Sequence, residues 1–290
     1  MRQLALGLTI LLAIASTTAQ QRFTLTVRDG WGGGAYRAGD TVHVFARALT
    51  QREVFAGWTS DDAVPLDRPA EWHTILIMPD ADVEVRANVD TIPAFTLTEE
   101  TIRGAERFKR VYHILPPGLR GVVFLYHGTG GSAQGWLPSA EENFALVKDL
   151  VAAGFGVVIT EAEEVTAKDD LDGDGAIRWD VAAPILAASV DYRNIRAIID
   201  TLVARQAIRP TTPLFGVGMS NGGAFAIPSA EALGMKAAVS YCASGRAANI
   251  PVITTPVMWL MAANDDNENV GPTGNQEAVD HAGRLRERGI

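Results

Sequence analysis

Gly218-Met219-Ser220-Asn221-Gly222-Gly223 carries a G-x-S-x-G pattern directly after the apolar run 214–217. An alanine-rich helical stretch follows it. A serine on a sharp strand-to-helix turn needs small residues two positions to either side, because the turned backbone leaves no room for side chains. The turn lifts the hydroxyl above the sheet edge, at a helix N-terminus that favours developing negative charge. The chemistry is that of an activated serine nucleophile.

His127-Gly128-Thr129-Gly130-Gly131 ends an earlier apolar run, 121–126. An H-G-x-G-G loop presents backbone N–H groups where an oxyanion would form. Thr129 N–H, or Gly130 N–H, would act with the N–H of Asn221, the residue after the nucleophile. His127 reads as a scaffold residue of this loop and not as the base.

Elements of defined type must hold these two loops. Residues 121–126, 156–160, 214–217, 237–241 and 257–261 are apolar runs of strand length. Helical spacing separates them over 140–153 and 187–204, where Val190, Ile195, Ile198, Ile199, Leu202 and Val203 fall near one face. Strands alternating with helices predict right-handed crossovers and a mostly parallel sheet with helices on both faces, an α/β class. Residues 21–91 have another texture. Period-two runs at 23–27, 41–46, 74–78 and 83–87 are broken by Gly, Pro and Asp, which predicts a small all-β domain. Residues 92–114 read as a bridge between it and residues 115–290.

Composition bounds the function. The chain has 290 residues, 25 Lys plus Arg against 34 Asp plus Glu, and a net charge of −9. That balance excludes phosphate-backbone binding as the main activity, so no nucleic-acid partner is expected. The single cysteine, Cys242, excludes an internal disulfide framework and Cys-cluster zinc motifs. Residues 1–20 have Arg2, an apolar run over 4–15, and small residues with Thr17 and Ala19 at the positions a signal peptidase reads. This is the layout of a secretory signal peptide, too short for a membrane span of about 20 residues. The expected location is secreted or periplasmic.

Residues 115–290 resemble the α/β-hydrolases, in particular the poly(3-hydroxybutyrate) depolymerase and feruloyl-esterase-like branch, through the GMSNGG and HGTGG motifs. The resemblance implies a Ser, Asp, His triad in that chain order, ester hydrolysis through an acyl-enzyme, and no required cofactor. The acid then belongs in the loop after residues 257–261. Asp265 is the first choice and Asp266 the second, with Ala262 standing where the family has glycine. Of the five histidines, His43, His73, His113, His127 and His281, only His281 follows that loop. It lies in a stretch that reads as a helix and is expected at the surface. The catalytic histidine is therefore expected beyond Ile290, in a chain truncated at its C-terminus.

The N-terminal region resembles the divergent internalin-type B-repeat in its opening FTLTVRDGWGGGAYRAGDTVHV, its central VFAGWTSD and its closing MPDADVEVRANV. This implies a β-grasp-like appendage that is a spacer or that binds cell wall, glycan or a partner protein. One further pattern is D-x-D-x-D-G-x-I at Asp170, Asp172, Asp174, Gly175 and Ile177, the start of an EF-hand-type loop. Position 12 is Val181, with Asp180 one residue early, so the match is incomplete. A structural calcium ion there is the one metal expectation. Trp136 is placed either in the core or along an acyl pocket.

The sequence thus leads to an exported serine esterase acting on polyester, acetyl or feruloyl esters, with Ser220 as nucleophile and Thr129 and Asn221 N–H groups holding the oxyanion. A peptidase on the same fold, or a catalytically inactive surface-binding protein, are the alternatives.

Overall fold

The computed structural model describes residues 21–60, 64–265, 267 and 270–290. The expected signal peptide and Asp266 lie outside the described residues. The chain divides into two units. One comprises the described residues up to Thr50 together with Phe55–Asp90, and the other Gln51–Val54 together with Thr91–Ile290.

The first unit is built from β1 (Arg22–Arg28), β2 (Gly30–Trp31), β3 (Gly34–Arg37), β4 (Thr41–Ala46), β5 (Glu53–Ser60), β6 (His73–Ile77) and β7 (Val83–Thr91). They form a four-stranded sheet in the order β3-β1-β7-β5 and a three-stranded sheet in the order β2-β4-β6. Period-two alternation decides what is covered: Val42, Val44 and Ala46 of β4 are buried with Leu25, Trp58, Leu76, Val83 and Val85.

The second unit carries β8 (Thr98–Arg103), β9 (Phe108–Ile114), β10 (Val122–Tyr126), α1 (Glu141–Ala152), β11 (Gly156–Ile159), α2 (Glu163–Ala167), α3 (Val190–Ala204), β12 (Leu214–Met219), α4 (Asn221–Leu233), β13 (Ala237–Tyr241), β14 (Val257–Leu260) and α5 (Gly271–Glu287). Its sheet has seven strands in the order β14-β13-β12-β10-β11-β9-β8. The pairs from β11 through β14 are parallel, and β8 and β9 are antiparallel. Strand β10 feeds both faces. Val122, Phe124 and Tyr126 pack with Ile195, Ile198 and Leu202 of α3 and Phe225 and Ala230 of α4. Val123 and Leu125 pack with Phe144 and Val147 of α1. Both faces being covered explains why this strand is apolar at every position. The mostly parallel sheet with helices on both faces, and the separate β-rich unit, are the fold class expected.

Two expectations are corrected. Residues 92–114 are not a mere bridge, because they supply the edge hairpin β8–β9 of the larger sheet. Ile102, Val111 and Tyr112 bury their side chains there. The helix expected from residue 187 begins at Val190, where Ser189 caps it by accepting from Asp191 N–H at 3.1 Å.

Candidate active site

The site begins at the end of β12. Ser220 has φ 54° and ψ −125°, a left-handed backbone that only a tightly constrained turn imposes on a serine. Ser220 N–H donates to Tyr241 O at 2.8 Å, which ties the turn to the neighbouring strand β13. The glycines around it are sterically required. A Cβ on Gly218 would sit 2.0 Å from Gly222 O, and one on Gly222 would sit 2.4 Å from both Tyr126 O and His127 O. The carbonyls of Tyr126 and His127 belong to the other motif, so the same packing brings the two loops together. A Cβ on Gly128 would lie 3.3 Å from Ser220 Cβ and 3.9 Å from Ser220 Oγ. The H-G-x-G-G loop therefore runs directly beside the serine hydroxyl.

The two candidate donors in that loop are distinguished by what they already bind. Gly130 N–H donates to Ile177 O at 2.9 Å. Thr129 N–H and Asn221 N–H have no protein acceptor among the described residues. His127 is buried, and both of its nitrogens are engaged: Nδ1–H donates to Gly128 O at 2.7 Å, and Nε2 accepts Ala162 N–H at 3.1 Å. Burial lowers its pKa to about 4 despite the hydrogen bond to Gly128 O, and it stays neutral as a scaffold.

The segment that runs on from the acidic loop completes the surroundings. Trp179 is buried, donates its indole Nε1–H to His127 O at 3.0 Å, and stacks on Phe225 of α4. Its backbone N–H donates to Asn221 Oδ1 at 2.8 Å, and its carbonyl accepts from Asn221 Nδ2 at 3.3 Å. Behind this lies a buried charged network. Lys109 Nζ is fully buried and donates to Glu163 Oε2 at 3.2 Å and Ala162 O at 3.1 Å. Glu163 also accepts from Arg107 at 2.6 Å and Asn194 Nδ2 at 2.8 Å. Burial pushes the Asp191 carboxyl up to about 7, against the backbone N–H groups of Asp180 and Glu163 that it accepts. One signal in the sequence marks Asp191 and Asn194: they are polar residues on the face of α3 that also carries Ile195, Ile198 and Leu202.

The remaining triad candidates are engaged with other partners. Asp265 follows β14, and its Oδ1 accepts Asn267 N–H at 2.9 Å, which closes a local turn. His281 is not at the surface. It is buried on the inner face of α5 with Gly274, Ala278 and Leu285. A 4-3-4 spacing puts those four residues on one helix face. Its Nδ1–H donates to Ser244 O at 2.9 Å, so the ring is buried with a satisfied polar atom. Among the described residues no histidine hydrogen-bonds Ser220 Oγ. Trp136 is buried in the core on the α1 side of the sheet.

The acidic loop folds on its own backbone. Asp170 Oδ1 accepts Gly173 N–H at 2.8 Å and Asp174 N–H at 3.2 Å, and its Oδ2 accepts Gly175 N–H at 2.8 Å. Of the three expected ligands, Asp170 and Asp172 come together, joined by Glu164, with carboxylate oxygens within 4.8 Å of one another. Asp174 is instead paired with Arg178. All-oxygen donors suit a hard cation. Glu164 is already held by Leu171 N–H at 2.9 Å and Arg178 N–H at 2.8 Å.

No protein-family model matches the chain, and no curated protein does. Solved structures do. A dienelactone hydrolase from Anabaena variabilis is 18% identical with a TM-score of 0.50, over 66% of this chain and 82% of that one. A lidless α/β serine hydrolase from Xanthomonas campestris is 19% identical with a TM-score of 0.43, over 65% and 81%. A cold-adapted esterase from an Arctic intertidal metagenomic library is 17% identical with a TM-score of 0.45, over 67% and 81%. With the sheet order above, the first of these establishes the fold: the chain has the α/β-hydrolase fold.

Proposed function

We propose that this protein is an exported serine hydrolase that cleaves carboxylic esters through an acyl-enzyme. The observation that carries the reading is the approach of Gly128 to Ser220, which sets an oxyanion loop beside a strained serine. Ser220 Oγ attacks the ester carbonyl. The carbonyl oxygen takes up negative charge against Thr129 N–H and Asn221 N–H, and the alcohol leaves. Water then attacks the acyl group and regenerates the serine. Asp265 or Asp266 orients the base. In this reading the base is a histidine that none of the described contacts supplies, since both nitrogens of His127 are taken and no histidine among the described residues hydrogen-bonds Ser220 Oγ. Polyesters and acetyl or feruloyl esters are the substrates proposed. Two smaller parts accompany it: a structural calcium ion at Glu164, Asp170 and Asp172, and glycan or cell-wall contact through the β-rich unit.

The test is intact-mass analysis after exposure to a fluorophosphonate. A chain extended past residue 290 gives one adduct on Ser220, and Ser220→Ala abolishes it. Residues 1–290 alone react slower by about three orders of magnitude or more, as for a triad that lacks its base. A folded, extended chain that gives no adduct overturns the reading and leaves the inactive binding protein in its place. Equal labelling of the shorter chain moves the base to His281. Turnover of short esters against peptide amides separates esterase from peptidase.

A further inference from the structure

Two loops make the oxyanion site, and neither is rigid by composition. The loop at 127–131 has glycine at three of five positions. Such a loop holds a donor at a fixed point only if other groups hold the loop. Those groups lie in the irregular segment between α2 and α3. Ile177 O takes Gly130 N–H, Trp179 Nε1–H takes His127 O, and the Trp179 backbone takes both ends of the Asn221 side-chain amide. The segment has contacts with both donor-bearing loops, so its own position sets theirs.

One side chain fixes where that segment starts and where it ends. Asp191 Oδ1 accepts Glu163 N–H at 2.7 Å, at the first residue of α2, and Asp191 Oδ2 accepts Asp180 N–H at 3.0 Å, one residue past Trp179. The carboxylate is buried and stands in the first turn of α3, where Ser189 Oγ accepts the Asp191 backbone N–H. We infer that Asp191 is the positioning residue of the oxyanion site: by binding both ends of the segment 163–180 it fixes Trp179 and Ile177, and through them the N–H groups of Thr129 and Asn221. Glu164 Oε2 also joins the two ends, from within the segment, by accepting Arg178 N–H at 2.8 Å; Asp191 reaches both ends from outside it, from α3. Without it the segment keeps the Glu164–Arg178 bond but loses the one carboxylate that holds residues 163 and 180 together against the start of α3, and more conformations open to it. Asp191 does not touch the reacting atoms, and its role is separate from that of Lys109, which ties α2 to β9.

This inference rests on the reading of Ser220 as nucleophile, so the experiment has one arm that depends on that reading and one that does not. In the independent arm, amide hydrogen exchange is compared between the wild type and Asp191→Asn, which keeps the shape and loses one acceptor. The expected result is at least tenfold faster exchange at 127–131 and 177–181, with β10, β12 and α4 unchanged. Unchanged exchange at 127–131 in a folded variant overturns the inference, and so does a uniform rise across the sheet. In the dependent arm, the expected result on the chain that labels is at least a tenfold drop in labelling rate and in kcat for a p-nitrophenyl ester, with KM within about twofold, since a misplaced oxyanion donor acts on the transition state. A raised KM at constant kcat overturns it. If the wild type does not label, the serine-hydrolase reading fails and the exchange arm alone decides this one. Should Asp191→Asn not fold, Trp179→Phe removes the Nε1–H bond to His127 O together with part of the buried ring. Exchange at 127–131 then rises at least twofold, or the link is wrong.

Discussion

Trp179 and Asn221 are joined by two hydrogen bonds that run in opposite directions: Trp179 N–H donates to Asn221 Oδ1, and Asn221 Nδ2 donates to Trp179 O. A side-chain amide thus replaces a backbone partner on each side of an irregular segment, immediately next to the proposed nucleophile. The relation explains why an amide stands at this position. An aspartate there would set a second oxygen against a carbonyl, and an alanine would leave both backbone groups of Trp179 without partners.

Asn221→Ala therefore has a double effect. Each unsatisfied backbone group costs about 1–3 kcal/mol, and the Asn221 N–H itself remains. The expected outcome in urea unfolding is a loss of about 2–4 kcal/mol, and in ester turnover a kcat lowered by about tenfold or more with KM little changed. A variant with wild-type kcat would show that the clamp does not act on the oxyanion site.

Gly222 of the turn and Gly283 of α5 predict opposite signs. A Cβ on Gly222 meets two backbone carbonyls at 2.4 Å, and neither can move without unpairing the loop from the sheet. Gly222→Ala is expected to lose more than about 4 kcal/mol or to fail to fold. Gly283 in α5 has open space where a Cβ would stand, so Gly283→Ala gains roughly 0.5–1 kcal/mol. Thermal melts of the two variants check both.

His127 sets a pH dependence. Its folded pKa lies near 4, below its ordinary value of 6.5, chiefly because burial disfavours the imidazolium. The unfolded chain then binds the proton more readily over this range. The stability from neutral His127 is complete above pH 6.5 and is lost as pH falls towards 4. At about 1.4 kcal/mol per tenfold change in proton affinity the effect is roughly 3 kcal/mol. Asp191 acts oppositely in the same window: its raised folded pKa makes stability fall as pH rises from about 4 towards 7. The two contributions oppose each other in the wild type. In His127→Gln the first contribution is gone, and urea titrations from pH 4 to 7 should show stability falling with pH. A flat profile in that variant would refute the assignment.

The buried pair Lys109–Glu163 is predicted to be costly to break and cheap to replace as a whole. Lys109→Met leaves Glu163 in the interior with Arg107 and Asn194 only, at an expected loss of about 3–5 kcal/mol. Lys109→Met combined with Glu163→Gln should recover part of that. A double variant as unstable as the sum of the single variants would show that the two charges do not interact.

How much of this was legible in the sequence differs by residue. The Ser220 turn and the His127 loop were legible because backbone crowding dictates glycine at fixed offsets, and such constraints are local. The hairpin β8–β9 was not, because Thr98–Arg103 is an edge strand whose polar side chains mask its alternation, and only Ile102 is buried in it. The burial of His281 was not legible either: the helical period shows which residues share a face, not which polar atom waits opposite, and Ser244 O lies far off in sequence. The hold of Asp191 on Glu163 and Asp180 escapes for the same reason. Its acceptors bind backbone N–H groups, which every residue type carries.

The acidic loop yields the last prediction. Asp170 accepts three backbone N–H groups, and these hold its carboxyl below the usual carboxylate range, with Gly175 N–H the largest contributor. Asp170 thus holds the loop's shape through its backbone partners. Because the same carboxylate stands with Asp172 and Glu164, calcium would add to an arrangement already formed and would find its ligands with little further ordering. Two consequences separate. Asp170→Ala lowers Tm by roughly 2–4 °C even in chelator, because the three N–H groups lose their acceptor. Calcium added to the wild type raises Tm in a concentration-dependent manner, as any ligand of the folded state does, and adds nothing in Asp170→Ala. Differential scanning calorimetry of both proteins in chelator and in millimolar calcium checks the pair. A wild type indifferent to calcium removes the ion from the proposed function and leaves the self-capped loop intact.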